Sequence, residues 1–253
     1  MPESSVVSDV VPSANFGERR NGLVPNMILL HYTGMPDAEG AIKRLCKPGA
    51  DVSAHYIVME DGRVLQCVQE TYRAWHAGES FWAGETDINS CSIGIEIINR
   101  GHDWGYPEFP LRQIAAVIAL CRGIMIRRAV PSHRVLAHSD VAPARKKDPG
   151  EKFPWMALAN SGVGVWVPPA PIVPGATLAP GASGDEVLTL QKQLARYGYG
   201  VPTTGEYDAE TTHVVGAFQR HFRPERVDGI ADLSTRETLR ALLKALHAAP
   251  AAT

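Results

Sequence analysis

Between Val165 and Pro180 the chain reads VWVPPAPIVPGATLAP, with five prolines. Each proline fixes φ and removes a backbone donor, so neither a helix nor a central strand can run through this stretch. The run reads as a stiff extended linker between two folding units. At 253 residues the chain is long enough for one sizeable domain and a smaller one, because single cores stop growing near about 250–300 residues. We place the units at 1–165 and 181–253, with the proline-rich linker at 166–180.

A formal charge of −2 and an apolar fraction of 45% give no electrostatic footprint for nucleic acid and no disordered tail. No apolar run approaches the roughly 20 residues that span a bilayer, and the opening MPESSVVSDVVPSANF lacks the basic flank and apolar core of a secretory signal. Cys46, Cys67, Cys91 and Cys121 form no CxxC pair. They read as buried free thiols rather than a thiolate metal site, with one disulfide open if the protein is exported.

The first unit mixes periods. MILLHYT (27–33), HYIVME (55–60) and SIGIEII (92–98) read as strands, and Asp61-Gly62 turns the chain into RVLQCVQ. Helical spacing marks DAEGAIKRLC (37–46) and LRQIAAVIALCRGIMIRR (111–128). The expected class is α/β, a mixed central sheet flanked by helices. In the second unit GDEVLTLQKQLARYG, YDAETTHVVGAFQRHF and STRETLRALLKALH predict three short helices. A weak repeat puts Asp208, three residues before Thr211, and Asp232, three before Thr235, where each caps the helix that follows.

Six of the nine histidines precede residue 140. His31 ends the apolar run MILL, and His138 follows VLA in the same way. Asp148 precedes Pro149, whose ring confines it to extended backbone. Two neutral imidazoles and one carboxylate make the three-ligand set of catalytic zinc, which keeps a fourth position for water. Lys146 lies two residues before Asp148, on the same side of an extended segment, where an ammonium stabilises an oxyanion by roughly 3–4 kcal/mol. Arg145 and Lys147 then alternate outward into solvent.

Glu96 interrupts the apolar strand SIGIEII on the face it shares with Ser92 and Gly94. A carboxylate there is costly unless paired or working, and we read it as general base and acid. Each residue has a plainer reading. A strand-end histidine is more often structural than a ligand, and His102 and His133 fall under that default. Glu96 alone reads equally as half of a buried ion pair, and Lys146 alone as surface charge. Spacing does not bring His31 to His138.

The motifs LLHYT, SAHYIV, WHAG, SIGIEI and AHSDVAPARKKDPG, in this order, resemble the zinc-dependent N-acetylmuramoyl-L-alanine amidases over roughly Asn26 to Trp155. From Gly181 to about Ala248 the chain resembles a three-helix peptidoglycan-binding module. The resemblance implies the fold shared with peptidoglycan-recognition proteins, zinc on His31, His138 and Asp148, and catalysis by Glu96 and Lys146. It implies cleavage between the lactyl group of N-acetylmuramic acid and L-alanine, with His55, Trp75 and His76 near the substrate. Peptidoglycan and its muropeptide fragments are the implied partners.

Three readings compete. A wall amidase of the periplasm or cell envelope uses the module to raise its concentration on an insoluble substrate. A cytosolic recycler of soluble anhydro-muropeptides needs no module, and the missing signal favours it. A non-catalytic recognition protein would have lost zinc ligands. Residues 181–248 as a mere dimerisation bundle is a further alternative for the second unit.

Overall fold

The computed structural model describes residues 2–248. A six-stranded sheet is built from β1 (Asp9–Val10), β3 (Met27–Tyr32), β4 (Tyr56–Val58), β5 (Val64–Gln66), β7 (Ser92–Ile97) and β8 (Val135–Ala137), in the order β1-β5-β4-β7-β3-β8. Only β4 and β5 pair antiparallel, across the Asp61-Gly62 turn; the other pairings are parallel. β2 (Phe16–Gly17) and β6 (Arg73–Ala74) form a separate antiparallel pair. The mixed α/β sheet expected from the strand patterns is present.

β7 is buried at all six positions, as a central parallel strand covered on both faces must be. Its alternation sorts the two sides. Ile93, Ile95 and Ile97 join Ile28, Leu30 and Val135 in the core beneath α3 (Leu111–Arg128), which contributes Val117, Leu120, Cys121 and Ile124. The opposite side carries His31 and Glu96. There α1 (Ala38–Cys46), capped by Asp37 accepting from the Gly40 N–H at 2.7 Å, packs Ala41 and Leu45 near Ile57 and Leu65. The short helix α2 (Ile88–Cys91) leads directly into β7.

Short helices α4 (His138–Val141) and α5 (Trp155–Asn160) precede the proline-rich run. Beyond it stand three helices, α6 (Asp185–Tyr197), α7 (Ala209–Phe222) and α8 (Leu233–Ala248). Asp208 and Asp232 accept from the N–H groups of Thr211 and Thr235, each at 2.7 Å, so the repeat seen in sequence is a repeat of helix starts.

The proline-rich run contains no helix, and it is held along its length. Val167 and Leu178 are buried, the Ala170 N–H donates to Thr238 Oγ1, and Leu178 bridges Ala231. One apolar cluster runs from Met27, Leu29 and Leu136 through Trp82 into Leu190, Phe218 and Leu239. The two units therefore share a continuous core. Trp82 meets Tyr197 and Tyr199 edge-on at 5.2 and 5.0 Å, and the close approach uses Gly198, where a Cβ would lie 2.5 Å from the Trp82 ring.

Candidate active site

The C-terminal ends of the parallel strands deliver the site. His31 is the fifth residue of β3, and its register partner on β7 is Glu96. β8 pairs with β3 on the other side and ends at Ala137, so His138 emerges beside them at the start of α4. Asp148 returns from the following loop, across a cis peptide bond to Pro149. Parallel pairing thus brings together residues more than a hundred positions apart.

His31 Nδ1, His138 Nδ1 and one Asp148 carboxylate oxygen form a near-equilateral triangle with sides of 2.9, 3.1 and 2.9 Å. All three residues are buried. The far nitrogens are committed: His138 Nε2–H donates to the Ala77 carbonyl at 3.0 Å, and His31 Nε2–H donates to His76 Nδ1 at 3.1 Å. His76 in turn donates to Ser92 Oγ at 3.3 Å, whose hydroxyl donates to the Ile88 carbonyl at 2.6 Å. With those protons placed, three lone-pair donors converge on one point, which is the donor set of a small divalent cation. Ligands of a tetrahedral ion at about 2.0–2.1 Å stand about 3.3 Å apart, close to the observed sides.

Electrostatics agree with the tautomers. Burial, then the neighbouring His138 ring, lowers His31 to about 4, so the ring is neutral at pH 7. Burial alone would raise the Asp148 carboxyl, but the adjoining His138 and His31 rings prevail and hold Asp148 well below the usual range. Glu96 is the opposite case. Burial, reinforced by the Asp148 charge, pushes its carboxyl well above the ordinary value, and Lys146 partly opposes the shift. One Glu96 oxygen, Oε2, is buried with no hydrogen-bond partner among the described residues.

A cleft of about 520 Å³ opens over the triangle, lined by His31, His76, Glu96, His138, Lys146 and Asp148, with Arg44, Arg145 and Lys147 adding positive charge. Lys146 is half-buried and reaches the cleft beside Asp148. Arg145 is exposed, as expected, and its Nη2 also donates to the Ala77 carbonyl at 3.0 Å and to the Glu79 carbonyl. The metal-side residue His138 and this arginine therefore share one carbonyl.

Of the three residues expected near substrate, only His76 lines the cleft, and its ring is engaged with His31 and Ser92. His55 is fully buried behind it, accepting from the Gly94 N–H at 2.9 Å and donating to the Tyr72 carbonyl at 3.1 Å. Trp75 is half-buried with its indole beside Gly17 and does not line the cleft. Neither His55 nor Trp75 is among the residues that line the cleft.

His102, read as structural, also borders the cleft, held by Tyr32 Oη at 2.8 Å and Glu151 at 3.1 Å. The cleft-facing positions of Tyr32 and Arg44 were not singled out in the sequence. Tyr32 carried a signal, since it directly follows His31, whereas Arg44 looks like any solvent-facing arginine of α1.

Comparison with known proteins accords with this geometry. The profile of the N-acetylmuramoyl-L-alanine amidase family matches residues 21–151, and that of a putative peptidoglycan binding domain matches residues 183–239. The N-acetylmuramoyl-L-alanine amidase AmiD of Escherichia coli is 39% identical over 232 residues, covering 86% of this chain and 82% of AmiD. Its complex with the substrate anhydro-N-acetylmuramic acid-L-Ala-D-gamma-Glu-L-Lys superposes with a TM-score of 0.73 at 35% identity, over 91% of this chain and 98% of that one. AmpDh3 from Pseudomonas aeruginosa superposes with a TM-score of 0.75 at 31% identity, over 94% and 96% of the two chains. The 1,6-anhydro-N-acetylmuramyl-L-alanine amidase AmpD of E. coli is 32% identical over 163 residues, 57% of this chain and 86% of AmpD. Cleft, triangle and sequence likeness lead to one conclusion: this chain belongs to the N-acetylmuramoyl-L-alanine amidase family and is an enzyme of that kind.

Proposed function

We propose that this amidase is a zinc enzyme that cuts the amide between the lactyl group of N-acetylmuramic acid and L-alanine in polymeric peptidoglycan and its fragments. His31, His138 and Asp148 hold the zinc, and the observation that carries this is their triangle of converging lone pairs with both imidazole protons fixed elsewhere. The bound ion supplies Lewis acidity toward the amide carbonyl and acidifies water at neutral pH.

Glu96 acts as general base on the attacking water and then as general acid toward the leaving L-alanine amine. Its raised affinity for a proton and its unpartnered oxygen suit a group that must carry a proton between two steps. Lys146 donates to the oxyanion that forms at the scissile carbon. Arg44, Arg145 and Lys147 give the cleft a positive rim suited to the carboxylates of a stem peptide like that of the AmiD complex.

The C-terminal unit favours the wall as substrate, because its likeness is to a peptidoglycan binding domain and the AmpD match covers only 57% of this chain. We place the enzyme in the cell envelope, with cytosolic recycling of anhydro-muropeptides as the second reading. No described helix is long and apolar enough to cross a membrane. Digestion of purified sacculi decides between them. Release of L-alanine-terminated peptides, abolished by chelator and restored by zinc, is expected; activity confined to soluble anhydro-muropeptides would replace the wall reading with the recycling one.

A further inference from the structure

α4 is a single helical turn that carries His138 and, two residues on, Asp140. Asp140 is fully buried, and its carboxylate accepts three hydrogen bonds. One comes from the Ala137 N–H at 2.8 Å, closing the start of the turn itself. The other two come from the C-terminal unit: Tyr199 O–H at 2.6 Å and His221 Nδ1–H at 2.7 Å. Both donors are rigidly seated. The His221 ring stacks on Trp155 at 3.8 Å, and Tyr199 lies against Trp82. The same turn also holds the third corner of the triangle, because the Ser139 N–H donates to the Asp148 carbonyl at 3.0 Å.

We propose that Tyr199 and His221 are positioning residues for the metal triad, acting through Asp140 to fix the turn that aims His138 and restrains Asp148. The C-terminal unit is then part of the metal centre's framework as well as a wall anchor. A buried carboxylate that loses a donor must move or take in water, and a single turn anchored at so few points moves with it. This inference rests on the zinc reading given above.

The test compares the full-length wild type with Tyr199→Phe, Asp140→Asn and Leu239→Ala. Leu239 is fully buried in α8 and makes none of these bonds, so its truncation loosens the C-terminal unit without touching Asp140. Zinc affinity is read by competition with a chromogenic chelator, the ligand field by the visible spectrum of the cobalt-substituted protein, and wall binding by pelleting with sacculi. Tyr199→Phe and Asp140→Asn are expected to weaken zinc binding by about tenfold or more, the range seen when groups supporting metal ligands are removed. Their cobalt spectra should shift while pelleting stays at the wild-type level. Leu239→Ala should lower the melting temperature and leave zinc affinity alone.

Affinities and spectra of Tyr199→Phe within about twofold of wild type would overturn the proposal; because that variant loses one oxygen and keeps its ring packing, the test does not depend on Asp140→Asn folding. Equal loss of zinc in Leu239→Ala would also overturn it. A wild-type chain that takes up no zinc would instead remove the functional reading on which it rests.

Discussion

His31 and Glu96 occupy the same register position on neighbouring parallel strands, so their side chains leave the same face of the sheet side by side. One ring turns its Nδ1 toward Asp148 and His138, while the adjacent carboxylate keeps an oxygen without a partner. Metal holding and proton transfer are thereby assigned to adjacent side chains with separate tasks. Glu96→Gln, which preserves shape and removes the base, should keep zinc at full occupancy and lower kcat by about 10²–10⁴-fold. Metal analysis beside a muropeptide hydrolysis assay checks both halves, and near-normal turnover would exclude Glu96 as the proton carrier.

Removing a corner of the triangle has the opposite signature. His138→Ala and Asp148→Ala should lose zinc as well as turnover, since two ligands do not hold the ion that three do. In the wild type, a strong chelator should abolish hydrolysis and stoichiometric zinc should restore it. Activity that survives complete zinc removal would contradict the metal assignment.

Gly94 lies on the β7 face shared with Glu96, and a Cβ there would sit 2.4 Å from the His76 ring. Gly94→Ala therefore cannot be accommodated without displacing His76 from His31 Nε2. The substitution adds one methyl group and touches no metal ligand. Zinc affinity is expected to fall by about 10–100-fold, as when the partner of a ligating imidazole is lost. Unchanged affinity by chelator competition would show that the His31–His76–Ser92 chain has no part in orienting the ligand.

Much of this site was legible before folding because single residues violated their surroundings. Glu96 stands out in SIGIEII, and His31 and His138 each end an apolar run. Their meeting was not legible, since it depends on β8 pairing in parallel with β3, and a strand of three residues carries no period to read. Arg145 read as solvated and is exposed, but its bonds to the Ala77 and Glu79 carbonyls were not legible, because the segment is a turn, with the Arg145 and Lys146 N–H groups both donating to the Ala142 carbonyl. Asp140, Tyr199 and His221 look ordinary in sequence. Only the packing of one unit on the other makes a buried network of them, and the proline-rich run that reads as a spacer gives no hint of it.

Lys146 is predicted to act on the transition state rather than on binding. It lines the cleft beside Asp148, and among the described residues no carboxylate forms a salt bridge with its ammonium. Lys146→Ala should reduce kcat by about 10²–10³-fold with little change in KM, the pattern of a lost oxyanion donor. Zinc content should be unaffected. A rise in KM at constant kcat would recast Lys146 as a contact for the stem peptide.

Away from the cleft, the buried Glu70 ties its turn to two elements: Tyr56 Oη donates to it at 2.7 Å from β4, and Arg127 and Arg128 at the end of α3 donate at 2.6 and 2.7 Å. Burial alone would raise its carboxyl, but these hydrogen bonds and the Arg127 charge prevail and hold it below the ordinary value. A depressed folded value means that the unfolded chain takes up the proton first. The stabilisation is complete above the unfolded carboxyl value of about 4.3 and is withdrawn as pH falls through the folded value. The melting temperature should accordingly drop on acidification below about pH 5. Glu70→Gln should cost about 2–3 kcal/mol at pH 7, as expected for losing charge-assisted bonds to two partly exposed arginines, and should flatten the acid limb. Thermal melts of both proteins from neutral to acid pH test this, and parallel acid limbs would mean that another carboxylate controls acid unfolding.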